Sequence, residues 1–136
     1  MKTEQMLQTM NRKAVLSTLW IFILLNMLFR DMHEFARAGF IEEIMSMVVA
    51  QETLLIAGIV LEIPIGMVIL SRLLPYRWNR LANIVASIFV IVIALSFGTN
   101  DLDDIWFLGV EVIALLGIIW YAWTWTLQKE ADLAFA

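Results

Sequence analysis

The stretch TLLIAGIVLEIPIGMVILSRLL, residues 53–74, decides the fold. A helix needs about 20 largely apolar residues to cross a bilayer core, and this run supplies them. A strand is a poor alternative, because an open sheet edge cannot satisfy its backbone groups in lipid. Pro75 follows directly and acts as a breaker. Within this greasy run stands one carboxylate, Glu62, with Gly58 and Gly66 four residues to either side and Pro64 just after it.

Three further stretches read the same way, at about residues 14–38, 80–97 and 104–125. Together they predict an all-α, four-helix transmembrane bundle forming one integral membrane domain over residues 1–136. Composition agrees: 62% of the residues are hydrophobic and 16% charged, with mean hydropathy +0.84. A soluble domain carries about 45–50% apolar and about 25% charged residues, so the lipid bilayer is the expected solvent. The net charge of −4 and the lack of any basic cluster argue against a nucleic-acid partner. The absence of cysteine excludes disulfides and thiolate metal sites. Ala36-Arg37-Ala38 resembles a signal-peptidase site, but the charged RDMHEFAR lies between it and the first apolar run, so a retained span is expected.

Basic residues set the expected orientation in a cytoplasmic (inner) membrane. Lys2, Arg12 and Lys13 precede span one, Arg72, Arg77 and Arg80 surround the 2–3 connection, and Lys129 follows span four. The 3–4 connection, GTNDLDD, has none. Both termini and the 2–3 loop are therefore expected on the cytoplasmic side. FIEEIMSMVVAQE, between spans one and two, spaces Phe40, Ile44, Met47 and Val48 along one face. It predicts a short helix in the outer interface or packed as a cover on the bundle, with Gly39 as the corner. Trp78, Trp120, Tyr121, Trp123 and Trp125 predict an aromatic belt at the inner interface.

Ionisable residues inside the spans are the candidate site. A carboxylate in mid-bilayer costs at least about 2.5–3.5 kcal/mol and normally faces the bundle interior with a partner. Gly58, Glu62 and Gly66 share a stripe, which predicts that Glu62 sits in a tight seam, roughly 13 Å deep. Glu111 lies roughly 10 Å into span four, on one face with Asp104. On span one, Asn26, Arg30, His33 and Arg37 recur at helical spacing. The expectation is an outward-facing polar site for a proton, a cation or another ligand, built from Arg30, His33, Glu62, Asp104 and Glu111 with Asn26 in support. Arg30 would neutralise charge, Glu62 and Glu111 would bind or shuttle, and Asp104 and His33 would form the mouth. The plainer readings are helix capping for Asp101, Asp103 and Asp104, an inert interfacial His33, and interhelical glue for Arg30, Glu62 and Glu111.

Other chemistries find less support. A metal held by His33, Asp104 and Glu62 is conceivable in geometry, but carboxylate di-metal bundles use ExxH pairs and this chain has one histidine and no ExxH. No GxSxG, GxGxxG, P-loop or haem-attachment pattern occurs, so no cofactor is expected. Three functions stay open. One is proton- or cation-coupled transport, or a channel, as a homo-oligomer, since four spans are few for a complete path. Another is a binding or accessory role, holding a lipophilic ligand or docking a partner membrane subunit. The third is a membrane enzyme acting on a lipid-like substrate; whether the chain is an enzyme is left undecided.

LSTLWIFILLNMLFRDMHE, VLEIPIGMVILSRLLPYRWNR and DLDDIWFLGVEVIALLGIIWYAW resemble a family of small bacterial four-span membrane proteins with no assigned function. The resemblance implies four membrane helices, an RDxHE-like segment at Arg30, Asp31, His33 and Glu34, and an LEIP-like segment at Glu62 and Pro64. It implies no activity or cofactor. A looser likeness to DoxX-like proteins rests on architecture alone.

Overall fold

The computed structural model describes residues 2–96, 98 and 101–125. Five helices run through them: α1 (Lys2–Ala36), α2 (Phe40–Ser46), α3 (Gln51–Leu73), α4 (Tyr76–Ser96) and α5 (Leu102–Trp123). Four of these, all but α2, are long and apolar enough to cross a membrane. The chain is thus a multi-pass, all-helical membrane protein.

Local chemistry sets the ends. α3 stops at Leu73, with Leu74 extended (φ −63°, ψ 143°) and Pro75 next in line. The residue before a proline is pushed out of helical geometry, which fixes the turn into α4. Gly39 supplies the corner between α1 and α2 at φ +83°, where a side chain would be strained. α1 starts at Lys2, well ahead of the expected residue 14. Its 35 residues span about 52 Å, so it outruns a bilayer core of about 30 Å. α2 buries none of its residues and packs mainly on α1, with Phe35 edge-on to Phe40 (ring centroids 5.4 Å apart) and Arg37 Cζ 5.2 Å from the centre of the Phe40 ring. It is a spur, and covers none of the bundle.

The four long helices form a ring in which α1 touches α3 and α5, and α4 touches α5 and α3. The core lies toward the end carrying the α3–α4 turn, where Leu16, Trp20 and Ile23 of α1 meet Met67, Val90, Leu115, Ile118 and Ala122. Trp125 belongs to this core, packed edge-on against Tyr76 at 5.0 Å, and not to an exposed belt. Trp78, Trp120 and Trp123 do face outward, as interfacial anchors would. α3 is the odd member. It is the most apolar span, yet only 11% of its apolar window is buried, against 33% for α4.

Candidate functional site between α1 and α5

At the end of the bundle that carries α2, α1 and α5 run antiparallel and are joined by a row of polar contacts. Asn26 Nδ2 donates to the Phe107 carbonyl at 2.9 Å. Arg30 Nε donates to Asp104 Oδ1 at 2.9 Å. His33 Nδ1 lies 3.7 Å from Asp103 Oδ2, with its ring edge-on to Phe107 at 5.2 Å. Arg37 Nε lies 3.9 Å from Asp101 Oδ2. The helical spacing on α1 produces this row, because one stripe of a helix meets one stripe of its antiparallel neighbour. Arg37 also binds Glu34 and Glu43, each at 3.1 Å, and these bonds tie α2 to the end of α1.

Burial rises along the row. His33 and Asp103 are about half exposed, whereas Asp104 and Asn26 are buried. Deepest is Glu111, 1% exposed, with a buried Oε1 that receives no hydrogen bond. The charges that act on it are those of Arg30 and Asp31. Arg30 is therefore shared: it bonds Asp104 directly and reaches Glu111 only through space. A buried acceptor without a donor costs about 1–3 kcal/mol, so this arrangement is not explained by stability.

The structure brings together five of the six expected residues: Asn26, Arg30, His33, Asp104 and Glu111. Glu62 is not among them. It is exposed on the outer face of α3, as is Gly58, while the buried stripe of that helix carries Pro64, Met67 and Ser71. The rotation of α3 is set by what its far half meets, namely Ser17 of α1 and the asparagines of α4. The metal set of His33, Asp104 and Glu62 falls with it, and among the described residues no three His, Cys, Asp or Glu side chains converge. The capping expectation is corrected at Asp101, while Asp103 and Asp104 do stand in the first turn of α5, where acids oppose the helix dipole. Asp101 occupies the N-cap of α5 but its side chain makes no capping bond, facing Arg37 instead.

A second polar cluster at the opposite end escaped the sequence reading. Asn83 uses every hydrogen-bonding position it has. Its Oδ1 accepts from Trp20 Nε1 at 2.7 Å and Ser71 Oγ at 3.1 Å. Its Nδ2 donates to the carbonyl and Oδ1 of Asn79, at 2.8 and 2.7 Å. Asn79 Nδ2 in turn donates to the Ser71 and Leu74 carbonyls, at 2.6 and 3.3 Å, satisfying the open end of α3. Beside it, the Ser17 hydroxyl donates to the Val68 carbonyl at 2.8 Å and accepts from Arg72 Nε at 3.0 Å. The signal was present as Asn79, Asn83 and Ser87 at four-residue spacing on an otherwise apolar helix. Reading it requires Trp20 of α1 and Ser71 of α3, the partners of Asn83 on other spans, while the buried Ser87 hydroxyl makes no hydrogen bond.

No curated protein and no solved structure matches this chain. The model of a family of unknown function, DUF6326, matches residues 4–132, and the chain belongs to that family.

Proposed function

We propose that the protein binds and passes a proton at the α1–α5 seam, with Glu111 as the acceptor, and works as a homo-oligomer in the membrane. One observation carries this reading: a carboxyl group 1% exposed, with an unbonded oxygen, lies beneath an arginine already engaged by another acid. Ionisable groups kept within spans at such cost mark proton or ion routes. Arg30 moderates the negative charge, Asp104 holds Arg30, and the exposed Asp31, His33 and Asp103 form the mouth. A proton suits the site better than a metal ion, because it needs one carboxylate and no converging ligand set. Four spans leave little room for a complete path, which is why the reading includes several copies.

The test is flux. Protein in liposomes carrying a trapped pH dye is given an acid pulse, and Glu111→Gln is expected to abolish proton entry while Glu42→Gln, on the exposed α2, leaves it unchanged. Equal flux in both variants would rule out Glu111. A second reading is favoured by the large uncovered surface of α3: an accessory subunit docked on another membrane protein or a lipophilic ligand. It predicts no flux from the wild type and a co-purifying partner in native mass spectrometry.

A further inference from the structure

We infer that the outward face of α3 is a two-fold interface with a second copy of this chain, in which the two Glu62 side chains meet and share a hydrogen bond. The inference rests on the homo-oligomer proposed above and adds where the copies meet and through which group. Apolar exposure does not carry it, since lipid accounts for that; Glu62 does. It lies about 16 Å from the Gln51 end of α3, close to the helix midpoint. Lipid offers a carboxyl group at that depth neither donor nor acceptor, and such groups in a span are kept only where they find a partner.

Which surface could answer it is narrowed by the chain itself. Among the described residues between Ala14 and Phe29 of α1, along α4 beyond Leu81, and along α5 beyond Ile105, no other exposed residue is ionisable. A head-to-tail contact would therefore lay Glu62 against the apolar flank of the next copy. A two-fold contact lays it against itself, and two carboxyl groups are complementary when they share one proton. Copies inserted with the same topology place that two-fold axis along the membrane normal, so both α3 helices run parallel and both Glu62 lie at one depth.

The glycines give independent support. Glycine inside a helix is destabilising relative to alanine. At Gly58 and Gly66, a Cβ would meet nothing within 4 Å, so packing within the chain does not require either. Both flank Glu62 at four residues, where a missing side chain lets a neighbouring backbone approach. Gly109 and Gly117 of α5 are equally open, but the exposed face of that helix beyond Ile105 carries no ionisable group among the described residues. Leu55, Glu62 and Ile69 are seven residues apart and all exposed, the seam of a parallel helix pair.

The absence of cysteine makes the test clean. Single variants Leu55→Cys, Ile69→Cys, Val92→Cys on α4 and Ile113→Cys on α5 are oxidised in native membranes and scored as covalent dimer. Leu55→Cys and Ile69→Cys are expected to cross-link, and Val92→Cys and Ile113→Cys are not. In parallel, fluorescence transfer between labelled copies in lipid is expected to show dimer dissociation raised roughly three- to twentyfold by Glu62→Leu, the range of single interhelical polar contacts, and far less by Glu62→Gln, whose amides still pair. Cross-linking through Ile113→Cys alone would overturn this interface while leaving the oligomer intact. A wild type that stays monomeric by transfer would overturn both. Retained proton flux in a monomer would separate the Glu111 reading from this one.

Discussion

The indole Nε1 of Trp20 donates to Oδ1 of Asn83 at 2.7 Å, linking α1 to α4 across the ring of helices. Both side chains are fully buried, and the same oxygen accepts from Ser71 of α3. Three spans are thus fixed in rotation by one amide. Interhelical hydrogen bonds and close packing do this in membranes, because lipid gives apolar faces no reason to prefer each other.

Replacing that amide should therefore be costly. Asn83→Leu strands the Trp20 N–H and the Ser71 hydroxyl, and is expected to lower stability by about 1–3 kcal/mol for each stranded donor. Ser87→Ala, four residues on, removes a buried hydroxyl that makes no hydrogen bond, and is expected to be neutral or stabilising. Unfolding in mixed micelles with increasing denaturing detergent, followed by circular dichroism, measures both. Similar losses in the two variants would contradict the assignment.

The Arg30–Asp104 bond should behave as a mostly buried ion pair. Removing one partner takes this bond from a buried charge, so Arg30→Met and Asp104→Leu are each expected to cost about 3–5 kcal/mol, while the double variant recovers most of the loss. A double-mutant cycle by the same unfolding assay reads the coupling directly. Additive losses would mean that the two residues do not depend on each other.

Aromatic residues near the C-terminal end should divide by burial. Trp125→Ala empties a core position packed on Tyr76 and is expected to cost about 3–5 kcal/mol. Trp120→Ala and Trp123→Ala, both exposed, should leave unfolding nearly unchanged and instead alter how the bundle seats in the interface, read from quenching by brominated lipids at set depths.

At the corner before α2, Gly39→Ala forces a side chain into φ +83°, at a cost of roughly 1–2 kcal/mol. Since α2 buries none of its residues, the loss should stay local. Faster amide exchange over residues 37–46 with an unchanged unfolding midpoint for the bundle is the expected result.

What the sequence determined by itself was everything local. Hydropathy over twenty-residue windows marked four spans, Pro75 and Gly39 marked turns, and the spacing of Asn26, Arg30, His33 and Arg37 marked one stripe of α1. Those properties follow from helix period and chain stiffness, which act within a few residues. Tertiary structure decided how each span is rotated about its axis. Glu62 was expected inside from its cost in lipid, but α3 turns Pro64, Met67 and Ser71 inward because Ser71 and the Val68 carbonyl have hydrogen-bonding partners there, on Asn83 and Ser17. A span that is apolar all round carries little record of its own rotation, and the few polar bonds to its neighbours settle the matter.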